Sequence, residues 1–122
     1  MQIHGRDVNF RRTVLGNCEI AEICPKKDIN KLGDVFTKSD YATAQRAGAK
    51  FMVAMSKGYE MTKHYSDSEY VMRPLTEEEV LLLDSDEFND LFMEAMNAFI
   101  ADGKTTVQTE AAPSKNADGG GE

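Results

Sequence analysis

The chain has no tryptophan, three prolines, two cysteines and two histidines among its 122 residues. Each scarcity excludes something. Cys18 and Cys24 are not a CxxC pair, and on a helix their offset turns them about 240° apart. With no second cysteine pair a zinc site is not expected, and ordinary thiols of a reducing compartment fit better. His4 and His64 are far apart, and neither has a carboxylate or cysteine at ligand spacing. There is no Asp-x-Asp-x-Asp-Gly loop for calcium. Ser56-Lys57-Gly58 and Gly119-Gly120-Gly121 lack the strand–loop–helix setting of a phosphate-binding loop. No serine, threonine or cysteine sits beside a base in a nucleophile pattern. The expectation is a protein that is not an enzyme, with no catalytic residue, cofactor or metal.

Long apolar runs are missing too. None approaches the roughly 20 residues that span a bilayer. Met1 to Arg12 is polar and alternating, unlike a signal peptide. A cytoplasmic protein without membrane contact is expected. Charge is plentiful but uneven, with a net of −7. Residues 1–63 carry 11 lysines and arginines against 7 acids, and residues 64–122 carry 3 against 14. Such asymmetry fits acidic helices packed on basic ones, head-to-tail contact between copies, or two solvated faces. Binding to nucleic acid is disfavoured, because an acidic chain lacks the patch that releases phosphate counterions.

What remains is helical. Tyr41, Ala44, Gly48, Phe51, Met55 and Gly58 recur at steps of three and four, one stripe of a helix running from Ser39 to Tyr65 with Ser39 or Thr37 as its cap. Ala47, Ala54 and Met61 widen the stripe, and its small residues admit a neighbouring backbone. A helix apolar on several faces is a central one. Thr13 caps a helix to about Cys24, stopped by Pro25, and Asp28 caps a short one over Ile29–Phe36. Thr76 with Glu79 forms a capping box, and Asp84 with Glu87 a second. From there Phe88, Leu91, Phe92, Ala95, Met96, Phe99 and Ile100 trace an amphipathic helix that Gly103 is expected to end.

Before these helices, Gln2 to Arg12 reads as a β-hairpin turning at Gly5. After them, residues 104–122 hold too little apolar material to repay ordering. The expected architecture is therefore mainly α: one helical domain over 1–103, of about five helices with an N-terminal β-hairpin in 1–12, then a disordered, flexible polar tail over 104–122. Met52, Met55, Met93 and Met96 lie on the two strongest helices. At that spacing they are either core filler or an adaptable groove for apolar partner helices, and these four are the candidate partner-binding residues.

The opening "IHGRDVNFRRTVLGNCEIAEIC", followed by "SDYATAQRAGAKFMVAMSKGYE" and "RPLTEEEVLLLDSDEFNDLFMEAMNAF", resembles the small tail assembly chaperones of long-tailed bacteriophages and prophages. The likeness spans Ile3 to Val107 and lies in the layout of hairpin, helices and polar tail. It implies a non-enzymatic protein of the bacterial host cytoplasm that coats the tape-measure protein, helps recruit tail-tube protein around it, and is absent from the virion. Self-association as a homo-oligomer is compatible with it. Many such chaperones are also made in a longer, frameshifted form. Ser114-Lys115-Asn116 can be encoded by a slippery heptamer, as ordinary Lys-Asn pairs can. The alternative of another class is a virion structural subunit, such as a head–tail connector or tail-completion protein.

Overall fold

The computed structural model describes residues 1–111, with side chains as far as Asp102. It is mainly α: five helices around one core, preceded by an antiparallel hairpin. The hairpin pairs β1 (Gln2–Ile3) with β2 (Arg6–Asp7), Gln2 opposite Asp7 and Ile3 opposite Arg6. Its two turn residues, His4 and Gly5, both have positive φ (50° and 79°), the backbone twist that two-residue hairpins prefer. The ladder is shorter than the alternation predicts. After a last rung from Val8 N–H to the Met1 carbonyl (2.9 Å), the chain leaves its partner and lies on a helix instead. There the Arg11 N–H donates to the Met55 carbonyl at 3.0 Å.

Helix α1 (Val14–Glu22) starts where Thr13 Oγ1 accepts from the Gly16 N–H at 3.0 Å. It ends ahead of Pro25, and two 3-10 turns, Pro25–Lys27 and Ile29–Lys31, lead into α2 (Leu32–Lys38). The short helix expected over Ile29–Phe36 thus begins as a 3-10 turn, with Asp28 as the cap, and runs on to Lys38. The long helix α3 (Tyr41–Ser66) is capped by Asp40, whose Oδ1 accepts from Thr43 N–H at 2.8 Å; neither Ser39 nor Thr37 does this. Ser39 instead ends α2. That backbone hydrogen bond holds the Asp40 carboxyl below the usual carboxylate range.

The capping box at α4 (Glu77–Leu81) forms as its sequence predicts, Glu79 N–H on Thr76 Oγ1 (3.2 Å) and Thr76 N–H on Glu79 Oε1 (3.0 Å). Asp84 caps α5 (Ser85–Ala111) by accepting from the Glu87 N–H at 2.8 Å. Gly103 does not stop α5, which continues eight residues beyond it. A glycine costs only about 1 kcal/mol inside a helix, so it interrupts a long one weakly. The rest of the expected tail, 112–122, including Ser114-Lys115-Asn116, lies outside the described residues.

The core gathers on α3. Phe51, Met52 and Met55 are wholly buried, in one cluster with Ile3, Ile20, Val35, Leu75, Val80 and Leu91 from the hairpin, the loop before α4 and the other helices. Aromatic rings stitch α3 to its neighbours: Phe51 lies 5.8 Å from Phe92 and 5.4 Å from Phe99, and Phe36 lies 5.0 Å from Phe92 in an edge-on contact. Edge-to-face pairs of this kind are favourable beyond their buried area. At Gly48 the rings of Phe88 and Phe92 from α5 lie close against α3. Arg12 ties the N-terminal segment to α5. Its guanidinium lies 3.7 Å over the Phe99 ring and donates to the Phe99 carbonyl, while its backbone N–H donates to Asp102.

Candidate functional site

The C-terminal half of α3 has two contrasting sides. One is a polar clamp on the loop 67–76. Glu60 is 6% exposed, and its carboxylate accepts from the Tyr70 hydroxyl (2.9 Å) and the Arg73 N–H (2.8 Å). One turn earlier, Ser56 Oγ accepts from the buried Leu75 N–H at 2.9 Å. One turn later, His64 Nδ1 lies 2.9 Å from the Tyr70 carbonyl oxygen. A carbonyl can only accept, so that nitrogen carries the proton. Steps of four place Ser56, Glu60 and His64 in one row along the helix.

Electrostatics finish the clamp. Burial and the bond to Glu60 push the Tyr70 phenol up, keeping it a neutral donor. Arg6 reaches across from β2 to the Arg73 carbonyl and pairs with Glu79 at 3.1 Å. Burial by itself would raise the Glu79 carboxyl; the Thr76 backbone N–H and the Arg6 guanidinium outweigh it and hold the group below its ordinary value. Ser56 Oγ, the Glu60 carboxylate and His64 Nδ1 are thus each engaged with the loop. Cys24, whose Sγ–H donates to the Ile20 carbonyl, has its thiol pushed up by burial, so it is a poor nucleophile.

The other side is an apolar groove between α1 and α3. Thr13, Leu15, Gly58, Met61, Thr62, Tyr65 and Ser66 enclose about 360 Å³. Leu15 is 48% exposed and Tyr65 82%. No lining residue carries a charge, and the Thr13 hydroxyl is already engaged in capping α1. The groove exists because Gly58 lets the Arg11–Thr13 backbone lie directly on α3: a Cβ there would overlap the Arg11 carbonyl oxygen. The lining offers apolar surface and hydroxyls, with no carboxylate, ammonium or imidazole. It can take up apolar side chains, as helix-in-groove recognition does.

The four methionines part company. Met52 and Met55 are wholly buried, so they are core and not groove, a correction that follows from α3 sitting inside one core cluster fed by the other helices and the N-terminal segment. Met96 is half-buried against the core, and Met93 alone stands out, 54% exposed. The structure does not bring the four together. Met61 is the methionine that reaches the groove. Leu15 and Tyr65 were the residues missed, although a signal for each exists. The buried positions of α1, Gly16 and Ile20, are four apart, which leaves Leu15 about 100° off their line. Tyr65 follows Met61 at i+4, one face of α3.

Two further clefts flank the other half of α3. Tyr41, Ala42, Gln45, Arg46, Leu81, Leu83, Ser85, Phe88 and Asn89 line one of about 560 Å³. The second, about 660 Å³ between α2 and α3, has Ile23, Pro25, Val35 and Ala47 in its walls and Lys38, Arg46 and Lys50 beside them. Among the described residues no cluster of three or more histidine, cysteine or acidic side chains could hold a metal ion, and no helix is long and apolar enough to cross a membrane. Compared with protein-family models, curated proteins and solved structures, the chain matches none.

Proposed function

We propose that the protein is a non-enzymatic tail assembly chaperone that binds apolar helical segments of a tape-measure protein and holds them for tail-tube assembly. The observation that supports this reading best is the uncharged groove between α1 and α3, edged by the exposed side chains of Leu15 and Tyr65. An aggregation-prone apolar helix needs a surface that hides its side chains without demanding a charge pattern, and a groove of this composition meets that need. Met61 adds an adaptable side chain to its wall. The resemblance in sequence layout supplies the identity of the client, and the cytoplasm of the bacterial host is the compartment the reading requires.

Co-expression with the tape-measure protein tests it. Wild-type chain should keep the tape measure in the soluble fraction, and the Leu15→Asp/Tyr65→Asp variant should lose that ability while keeping its helical circular dichroism. Solubilisation that survives the double change would refute the groove. Detection of the chain in purified particles would favour the other class, a connector or tail-completion subunit, since a chaperone leaves before the virion is finished. The nucleotide sequence around the codons for Ser114-Lys115-Asn116 adds a cheap check. A slippery heptamer with an overlapping reading frame would strengthen the chaperone reading.

A further inference from the structure

We infer that the face around Arg46 is a dimer interface, on which two copies of this chain pair about a two-fold axis. It lies about 20 Å along α3 from the client groove at 1.5 Å per residue, and it does not depend on the chaperone reading. Two patches of opposite character meet there. The first is the α4–α5 corner, where Leu82 is 74% and Leu81 36% exposed among Glu77, Glu78, Asp84 and Asp86, with no basic residue between 77 and 94. The second is the α2–α3 cleft, an apolar trough of Ile23, Pro25, Val35 and Ala47 edged by Lys38, Arg46 and Lys50.

Three observations argue for a second copy as the occupant. Arg46 lines both the cleft beside the corner and the α2–α3 cleft, so the two patches share a border. Its exposed guanidinium has no ion pair or hydrogen bond among the described residues, and the side chains of Glu78 and Asp86 have none either. Across the same border Lys50 and Glu77 pair at 3.4 Å, so the charges of corner and cleft already match within one molecule. A half-turn about an axis through that border sets each copy's acidic, leucine-tipped corner over the other's basic-edged trough. Every contact is then made twice, the hallmark of an isologous dimer. Complementary charge fixes the register, and burial of Leu82 and of Tyr41, 76% exposed in the single chain, supplies apolar contact.

Sedimentation equilibrium on the full chain, over a concentration series, tests this with three samples. Wild type should show a monomer–dimer equilibrium. Arg46→Glu alone and the Glu78→Lys/Asp86→Lys variant alone should each dimerise at least about tenfold more weakly, because like charges now face each other at both contacts. An equimolar mixture of the two variants should recover dimer mass, since the mixed pair restores opposite charges at both contacts. All the changed residues are exposed, and far-UV circular dichroism confirms that each variant stays folded. A wild type that stays monomeric throughout the series would overturn the proposal. So would variants that dimerise as wild type does, a mixture that gains nothing, or assembly running on past the dimer, which marks a head-to-tail contact.

Discussion

Opposite sides of the same two turns of α3 are built from opposite materials. On one side Ser56, Glu60 and His64 accept from or donate to four backbone or hydroxyl groups of the loop 67–75. On the other, Gly58, Met61, Thr62 and Tyr65 face a groove with no charge in it. The clamp holds an otherwise irregular loop in one place, which buried polar bonds do well because breaking them leaves costly orphans. On the groove side only Thr13 and Gly58 serve the fold, by capping α1 and seating the Arg11–Thr13 backbone, while Leu15 and Tyr65 stand largely exposed. Exposed apolar surface of this kind is what the proposed client would cover.

The comparison can be broken most severely from beneath. Gly58→Val should destabilise the fold by roughly 3 kcal/mol, seen as a lower denaturation midpoint, because the added carbons meet the Arg11 backbone and not a yielding side chain. Glu60→Ala should cost somewhat less, about 2 kcal/mol, by stranding the Arg73 N–H and the Tyr70 hydroxyl, and Glu60→Gln should recover part of it by keeping an acceptor. Chemical denaturation with m-values unchanged checks both.

A smaller effect concerns pH. The folded Glu79 carboxyl lies below its ordinary value, so its contribution is present above the ordinary carboxylate range and is lost as pH falls through the folded value. Thermal midpoints should therefore drop on acidification below about pH 4, and Arg6→Ala should flatten that slope by removing a partner that holds the group down. The smallest change in stability is expected on the groove side. Tyr65→Asp should leave the midpoint within about 0.5 kcal/mol of wild type, as surface substitutions do, while weakening client binding. A Tyr65 change as damaging as Glu60→Ala would erase the distinction between the two sides.

Much of this was legible beforehand. The capping residues Thr13, Thr76 and Asp84 each stand at a helix start, because a short oxygen-bearing side chain ahead of a periodic run has one favourable use. The central place of α3 followed from its apolar girth. Less legible was whatever depends on who covers whom. Tyr41 heads the apolar stripe in sequence yet is mostly exposed, lining an open cleft with Leu81, Leu83 and Phe88. Met52 and Met55 carry the same periodicity as groove residues would, and only the packing of the other elements around α3 assigns them to the core. Glu60 gave no sign of its clamp, since its partners come from a loop with no pattern of its own. Leu15 is apolar like its neighbours in α1, yet it stands exposed beside Gly16, which holds the buried position against α3.

The central claim is that the uncharged groove, and not the methionines of the core, receives the client. Titrating the isotope-labelled protein with an apolar helical peptide from the tape-measure protein, followed by amide chemical shifts, tests this directly. The account predicts that the shifted amides cluster at Thr13, Leu15, Gly58, Met61, Thr62 and Tyr65, leaving the clamp at Glu60 and Arg73 unmoved. Saturating peptide that shifts none of the groove amides, or that shifts only those around Tyr41 and Phe88, would contradict it.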